Sequence, residues 1–313
     1  MKKTKILATT LLSAVIMLMV SCKHDDDNAV ISAGGKTPVS FSSNIIAMNS
    51  VGKAVGNVWE VDDKIGIYMF EEGNINVVES VENIAYITSA AGAKGDFKPT
   101  TKTIYFPDNG SKVRFMAYYP HSASVTNSIY KVDVSNQTSQ KDIDLLYNFK
   151  IDASYDKTVA NKKVPLVFDH KLTKVIINVK AGEGLEESDL GDIGIHIEGL
   201  STTANFDLTT GTLSNIENVS NITPVTATAK DNYAYGCEAI VIPTTDVPSG
   251  AKIVFNLSDG EGGASDVFSW NFNSLLKSGS KYTYNVTINR SGIVVDASIN
   301  NWNEEGEEDI VAE

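Results

Sequence analysis

The side chains that could do chemistry in this chain are few and widely spaced. Its histidines and cysteines are His24, His121, His170, His196, Cys22 and Cys237. A structural or catalytic zinc site draws such ligands from close spacings such as CxxC or HExxH, and neither pattern occurs. No serine lies in a GxSxG nucleophile turn. The sequence therefore predicts no catalytic residue, no cofactor and no metal site, and an enzyme is not expected.

Three other segments contain residues that could form a binding or catalytic site. In each of them a structural role explains the residues better. The glycine-rich "SDGEGGAS", residues 258–265, lacks the Lys-Ser/Thr and the following helix of a phosphate loop, so it predicts a hairpin turn. The acidic "WNEEGEED", residues 302–309, could attract a divalent cation but lacks the ligand spacing of a calcium loop. Cys237 precedes the apolar "AIVIP", where a free cysteine is usually a core residue.

Cys22 is the residue with the clearest chemical role. Lys2, Lys3 and Lys5 precede an apolar run of about fifteen residues, "ILATTLLSAVIMLMV", which is the pattern of an export signal. Ser21 and Cys22 at the end of that run resemble a bacterial lipobox, in which the thiol is acylated and the chain is cut before the cysteine. We expect cleavage between Ser21 and Cys22 and lipidation of Cys22. Ordinary cleaved secretion and a retained anchor helix are the alternatives.

The charge balance narrows the class of partner. Loss of residues 1–21 removes three lysines and leaves 23 basic against 39 acidic residues, a formal net charge of −16. Binding to nucleic acid needs a basic surface, so no nucleic-acid partner is expected. With Cys22 acylated, only Cys237 remains, and a disulfide within the chain is excluded.

The elements that must position any site are strands. Short segments rich in β-branched and aromatic residues recur along the chain and are bounded by Gly, Pro, Asn or Asp. They are "PVSFSSNI", "DKIGIYMF", "KTIYFP", "KVRFMAYYP", "KVPLVF", "TKVIINVKA", "GDIGIHIEGL", "EAIVIP", "AKIVFNLS", "DVFSWNF", "KYTYNVTINR" and "GIVVDASI". No long segment keeps a helical period. The pattern predicts an all-β protein of sandwiches, with a single barrel as the alternative.

The same pattern suggests a division of the chain. Residues 1–21 are the predicted signal peptide and 22–36 an acidic tether and linker. A first β-sandwich is predicted over residues 37–168 and a second over 169–313, because the lysine-rich "SYDKTVANKKVP" is typical of a loop and strands resume after it.

Several segments in order resemble the fimbrillin family, the subunits of type V pili. They are "VSFSSNI", "NVWEVDDKIGIYMF", "IYFPDNGSKVRFMAYYPH", "VPLVFDHKLTKVIINV" and the closing "YTYNVTINRSGIVVDASINNWNE". The resemblance spans roughly residues 37–305. It implies two tandem transthyretin-like Greek-key sandwiches, an outer-membrane lipoprotein precursor at the cell surface, and a structural role in a fimbrium that acts in cell adhesion.

The resemblance further implies assembly by strand exchange with other pilus subunits. In shaft members a trypsin-like protease removes the first strand, and a strand of the next subunit fills the groove. Here the removed strand would be residues 37–45, and the cut would fall between Lys53 and Ala54. The family often has arginine at this site, and this chain has none before Arg114. A lysine-tolerant protease, an untrimmed anchor or cap subunit, and an ordinary loop lysine all remain open.

Two questions remain after the resemblance. The family donor is usually C-terminal, and within "GIVVDASINNWNEEGEEDIVAE" the best apolar alternation is Ile293, Val295, Ala297 and Ile299. The alternative function is a monomeric surface lipoprotein that binds glycan or a host surface through exposed aromatic residues. The candidates for such a platform are Tyr118, Tyr119, Trp270 and Trp302. One of Tyr118 and Tyr119 is expected to face the core, because side chains alternate along a strand.

Overall fold

The computed structural model describes residues 35–45, 58–159, 162–257, 266–302 and 309–310. Nearly all regular structure in these ranges is β-strand, and the helical elements are α1 (Gln140–Ile143) and two 3₁₀ turns (Lys157–Val159 and Glu187–Leu190). The all-β prediction is confirmed. The division into two Greek-key sandwiches stays a prediction. No helix within the described ranges has the length and apolar content that a membrane span requires.

Seven strands from the first half of the chain close into a ring. They are β1 (Phe41–Ile45), β2 (Lys64–Glu71), β3 (Ile84–Thr88), β4 (Lys94–Pro99), β5 (Val113–Tyr119), β7 (Leu146–Phe149) and β8 (Val164–His170). Their order around the ring is β1-β4-β3-β2-β5-β7-β8. The predicted strand "KTIYFP" does not form. It contributes only a single bridge, from Tyr105 to Pro38.

The interior of the ring is one apolar cluster, which we call the ring core. It comprises Val39, Phe41, Ile45, Trp59, Ile65, Ile67, Met69, Val81, Tyr86, Phe97, Ile104, Phe106, Val113, Phe115, Ala117, Tyr119, Leu146, Val164, Leu166 and Phe168. Alternate residues of β2 and β5, such as Tyr68, Phe70 and Tyr118, point out of the ring into a second cluster. Both faces of β2 and β5 are therefore covered, which is why these strands read as continuous apolar runs.

The second half of the chain supplies two further sheets. Their strands are β9 (Thr173–Ala181), β10 (Gly194–Glu198), β13 (Val225–Ala227), β14 (Tyr235–Val241), β15 (Lys252–Leu257), β16 (Asp266–Asn271), β17 (Ser280–Asn289), β18 (Gly292–Asn301) and β19 (Asp309–Ile310). One sheet has the order β13-β14-β9-β17-β18-β19 and the other β10-β15-β16. On β9, Val175, Ile177 and Val179 are buried, as the alternation predicts.

A third sheet joins the two halves. It comprises β6 (Ile129–Asp133), β11 (Ser201–Asp207) and β12 (Thr212–Val219), in the order β12-β11-β6. β6 precedes the ring strands β7 and β8 in the chain, yet it pairs antiparallel with β11 from Thr203↔Asp133 to Asp207↔Ile129. The second apolar cluster likewise contains residues from both halves, so the halves share a core. The boundary at residues 168 and 169 stays a prediction, and it falls within β8, before β9 begins at Thr173.

Candidate functional site: the β1 slot

The residues predicted for processing and for strand removal fall in different parts of the chain. Ser21, Cys22, Lys53 and Ala54 lie outside the described residues, so lipidation and both cleavages stay predictions. The strand predicted to be removed, residues 37–45, is described and contains β1. We call the space that residues 39–45 occupy between β4 and β8 the β1 slot.

β1 is held on both of its edges. It pairs antiparallel with β4, from Phe41↔Phe97 to Asn44↔Lys94, and parallel with β8, from Phe41↔Val164 to Ile45↔Phe168. Unpaired backbone groups at a strand edge recruit another strand when one is missing. Loss of β1 would therefore leave two facing edges that only another extended chain could pair.

The inward side chains of β1 alternate regularly. Val39, Phe41, Ser43 and Ile45 point into the ring core and are all buried, whereas Ser40 and Asn44 are exposed. Phe41 fills a wide subsite, where its ring lies edge-on to Tyr86 at 5.3 Å and to Phe115 at 5.0 Å between centroids. Edge-to-face contacts of this kind add to the stability that apolar burial gives.

The position of Ser43 is a narrow subsite. Gly95 of β4 lies directly opposite it, and a Cβ on Gly95 would stand 2.8 Å from the Ser43 Oγ, 2.8 Å from the Phe97 ring and 2.9 Å from Trp59. Glycine inside a strand often marks such a close approach. Only a small side chain fits here.

This subsite also leaves polar atoms unsatisfied. Ser43 is 1% exposed, and its Oγ has no hydrogen-bond partner in the part of the chain that the structure describes. The Trp59 Nε1 is also buried without a hydrogen-bond partner among the described residues. A buried polar group without a partner costs free energy, so the native occupant of the slot is not an ideal fit here.

At the far end of β1, a cavity of about 90 Å³ links the slot to the second half of the chain. Its lining includes Ile45, Asp63, Tyr119 and Trp302. Trp302 stacks on His170, the last residue of β8, with ring centroids 4.0 Å apart and planes at 5°. Ile45, which ends β1, and Trp302, which follows β18, therefore meet at one cavity.

The carboxyl group of Asp63, which lines this cavity, has a pKa above its ordinary value. The Tyr119 hydroxyl donates to the Asp63 Oδ1 at 3.1 Å, and the Glu60 backbone N–H donates to the Oδ2 at 2.7 Å. Burial is the largest influence and raises the pKa of Asp63 above its ordinary value, although both hydrogen bonds favour the ionised form.

The outer face of β1 carries an ion pair that spans the strand. Lys163, next to β8, contacts Asp96 of β4 at 2.7 Å between Nζ and Oδ2, and both side chains are at least half exposed. Asp96 lies opposite Ser42 of β1. Lys94 and Lys98 of β4 are exposed as well, so the outer rim of the slot is mainly basic.

The predicted donor segment forms β18 in this structure. All ten of its residues pair with β17, from Asn289↔Gly292 to Ser280↔Asn301. On its other side, the pairing seen among the described residues is that of Ala297 and Ser298 with β19. Ile293, Val295, Ala297 and Ile299 share one half-buried face, as the alternation predicts. β18 is thus close to being an edge strand.

The aromatic residues proposed for a glycan platform do not form one. Tyr118 is 0% and Tyr119 7% exposed, because they point into the two different cores. Tyr119 faces the ring core, as alternation predicts for one of the two, and Tyr118 is buried as well because the second half of the chain covers the outer face of the ring. Trp302 is buried and Trp270 partly buried against Phe272 and Tyr284.

The remaining chemical candidates have structural environments. Cys237 is buried on β14, and burial raises the pKa of its thiol to about 12, so it is not a thiolate at neutral pH. The His170 Nδ1 lies 2.9 Å from the Asp144 Oδ1 inside the protein. Among the described residues, no group of three or more His, Cys, Asp or Glu side chains could hold a metal ion.

Sequence reasoning missed the two residues that shape the slot most. Gly95 lies in the segment "AKGDFKP", which was not predicted as a strand. Trp59 was named only as part of the segment "NVWEVDDKIGIYMF". A glycine between charged residues with a phenylalanine two positions later is a weak strand signal. Their meeting at Ser43 depends on the pairing of strands more than fifty residues apart in the chain.

Comparison with known proteins agrees with the sequence resemblance. A proposed fimbrium subunit of Bacteroides uniformis, Fim1C, is 34% identical over 312 residues, covering 96% of this chain and 95% of that protein. A crystal structure of a proposed cell-adhesion protein from the same species has a TM-score of 0.71 at 30% identity and covers 86% of this chain and 99% of its own.

A more distant structure shows the same fold. A proposed cell-adhesion protein from Bacteroides ovatus has a TM-score of 0.64 at 22% identity, over 89% of this chain and 99% of its own. The family model described as fimbrillin-like matches residues 52–302, which is most of the chain and includes every ring strand except β1. The chain therefore belongs to the fimbrillin-like family.

Proposed function

We propose that this protein is a pilus subunit that joins its neighbour by strand exchange, with β1 as the strand that is replaced. The pilus-subunit role in adhesion follows from membership in the fimbrillin-like family. Strand exchange is supported by one observation above others: β1 is a short strand between two partners, and its inward side chains fill the ring core.

The physical basis of the exchange is the two-edged slot. Removal of β1 exposes the backbone groups of β4 and β8 and the apolar lining that Val39, Phe41 and Ile45 now cover. An extended strand with alternate apolar side chains restores both the hydrogen bonds and the burial. Because this needs only a complementary strand and no chemistry, the proposal includes no enzymatic activity.

Before assembly, the chain is held at the outer membrane by lipid on Cys22. The tether and β1 lie on the same side of Lys53 in the chain, so one cut there would release the anchor and open the slot together. Substitution of Cys22 by serine should abolish incorporation of radiolabelled palmitate and move the precursor from the membrane to the soluble fraction. Unchanged labelling would rule out acylation at Cys22.

Limited trypsin treatment of the non-acylated Cys22→Ser chain tests the exchange. We expect a cut after Lys53 to be followed by ladders that survive SDS at room temperature and collapse on boiling. Lys53→Gln is the matched control, which should remain a monomer under the same treatment. A chain that is cut after Lys53 and stays monomeric at high concentration would contradict strand exchange.

The alternative, a monomeric glycan-binding lipoprotein, has lost its structural support. It required an exposed row of aromatic rings, and Tyr118, Tyr119 and Trp302 are buried. No second function is therefore proposed.

A further inference from the structure

The strand β16 has a free edge that is complementary to itself, and we propose that two copies of this chain pair side by side through it. The two strands run antiparallel about a two-fold axis, and the Ser269 of each copy faces its own counterpart. We call this contact the β16 pair. It uses neither the β1 slot nor the C-terminal segment, and it does not depend on strand exchange.

One side of β16 has no partner strand in the part of the chain that the structure describes. β16 pairs with β15 on its other side. The Phe272 N–H donates to the Ala251 carbonyl at 3.1 Å, and hydrogen bonds alternate along an antiparallel pair. The backbone N–H and C=O groups of Val267, Ser269 and Asn271 therefore point away from β15, towards the free side.

The other edge strands are protected in ways that β16 is not. Proteins guard sheet edges by shortness, charge, bulges or cover. β13 has three residues and β19 has two, and β6 has a lysine at its centre. β12 has a register shift, with Asn215 and Asn218 in the left-handed region, and β10 bridges from Ile197 to Ile222. β16 has six residues without lysine, proline or a register shift, and its one charge is Asp266 at its first position.

The side chains of β16 favour contact with another strand. Val267 is 63% exposed, and Ser269 is exposed on the same face. On the inner face, Phe268 and Trp270 are only partly buried against the second apolar cluster. A further strand on the free side would pair the open backbone groups and cover more of both rings.

The sequence of β16 fits a second copy of itself. Residues that lie directly opposite each other in an antiparallel pair point to the same face. With Ser269 on the two-fold axis, Phe268 of each copy lies opposite Trp270 of the other, and Val267 lies opposite Asn271. The inner face then gains two cross-strand aromatic contacts, and such contacts stabilise a sheet.

Other positions of the axis fit less well. An axis at Phe268 would leave the free groups of Asn271 unpaired and would put the Asp266 carboxylate opposite Trp270. An axis at Trp270 would leave the free groups of Val267 unpaired. An axis between two residues would set the inner face of one strand beside the outer face of the other. The axis at Ser269 pairs all of the free groups and keeps Asp266 outside.

Charge and size set the strength of the β16 pair. The chain has a formal net charge of −13, so two copies repel each other at low salt, and the pair should strengthen as salt screens that repulsion. An edge of six residues is small beside the roughly 1,200–2,000 Å² of a stable interface, so free subunits should pair weakly. Filaments that lie side by side would repeat the contact and gain strength from its multiplicity.

A cysteine at the two-fold axis tests the register. In the uncut Cys22→Ser chain, Ser269→Cys places a thiol opposite its own counterpart at the Cα distance of a disulfide. Val267→Cys is the matched control, because it is exposed on the same face but lies opposite Asn271. Mild oxidation should give reducible dimers from Ser269→Cys at roughly tenfold the yield from Val267→Cys. The double variant Val267→Cys/Asn271→Cys should restore that yield.

A proline at the same position tests the pairing without a cross-link. Ser269→Pro removes the N–H at the centre of the free edge and leaves the bonds to β15 in place. Sedimentation equilibrium at high salt should show association of the uncut Cys22→Ser chain and of its Ser269→Ala control. Ser269→Pro should associate roughly tenfold more weakly or less, because a central hydrogen bond is lost and the ring crowds the edge. Thermal melting checks that each variant folds.

The outcomes separate this proposal from strand exchange. Equal dimer yields from the two single cysteine variants, or a Ser269→Pro chain that folds and associates as Ser269→Ala does, would overturn the β16 pair. SDS should dissociate the β16 pair, so the ladders that follow a cut at Lys53 report on strand exchange alone. Either proposal can therefore fail while the other stands.

Discussion

β1 and β18 lie near the two ends of the folded chain and differ in how they are held. β1 is five residues long and is paired along both edges. β18 is ten residues long and is paired fully on one edge and, among the described residues, by two residues on the other. Loss of β1 leaves a gap between two strands, but loss of β18 leaves a sheet that is one strand narrower. In the proposed exchange, the first geometry would accept a strand and the second would supply one.

The largest expected difference is in side-chain burial. Phe41→Ala should lower the free energy of unfolding by about 3–5 kcal/mol, because it empties the wide subsite. Val295→Ala on the half-buried face of β18 should cost only about 1 kcal/mol. Urea unfolding followed by circular dichroism measures both. Equal losses would mean that β1 is held no more firmly than β18.

The narrow subsite should respond in opposite directions to two small changes. Ser43→Ala removes an unsatisfied hydroxyl and should stabilise the free subunit by about 1 kcal/mol. Ser43→Val adds volume against Gly95 and should destabilise it by about 1–3 kcal/mol. Thermal melting of the two variants and the parent chain measures both changes in stability. If valine is tolerated as well as alanine, the subsite does not select by size.

The cavity at the end of β1 should make the slot sensitive to pH. Because burial raises the pKa of Asp63, the folded chain keeps this proton to a higher pH than the unfolded chain does. The contribution of Asp63 to stability is therefore present at low pH and is lost as pH rises from its ordinary value of 3.8 through the raised one. Asp63→Asn should remove this dependence.

The measurement is the difference in unfolding free energy between the parent chain and Asp63→Asn, taken at several values of pH. The parent should lose stability relative to the variant as pH rises from 4 towards 7. A difference that is constant with pH would show that burial does not perturb this carboxyl. Asp296→Asn, on the exposed side of β18, is the matched control for removal of a carboxylate outside the cavity.

The smallest expected effect is at the outer rim. Lys163→Ala breaks the ion pair that crosses β1, but exposed pairs contribute only about 0–1 kcal/mol. The loss should shrink further in high salt, because the charges are screened. Urea unfolding at low and high salt measures it. A larger loss that does not depend on salt would indicate that the lysine stem, rather than its charge, holds β1 in place.

Much of the fold could be predicted from segments rich in β-branched and aromatic residues and bounded by turn residues, which identified β1, β2, β5, β8, β9, β10, β14, β15, β16, β17 and β18. Strands with weaker patterns were missed, among them β3, β4, β7 and β12. β4 reads "KGDFKP", in which only Phe97 is a good strand former, and it becomes a strand because β1 and β3 pair on its two sides. Tertiary pairing overrides local propensity in such segments.

The position of the candidate site in the chain could be predicted from the sequence, but the shape of the site could not. The resemblance placed the removable strand at residues 37–45, and the alternation in 293–299 was visible. The size of the subsite at Ser43 could not be predicted, because it depends on contacts of Gly95, Phe97 and Trp59 across the ring. The burial of both Tyr118 and Tyr119 was missed for a similar reason, since alternation says nothing about a second layer outside the strand.

The pairing of β6 with β11 has a mechanical consequence. In a filament linked by exchanged strands, tension would enter each subunit at the ring and leave through its C-terminal strand. The load must then cross between the halves, where the chain itself passes through only the two residues between β8 and β9. The β6 and β11 pairing and the shared core run beside that short connection. Each subunit should therefore bear tension as one body, and extension under force should begin at the joints between subunits.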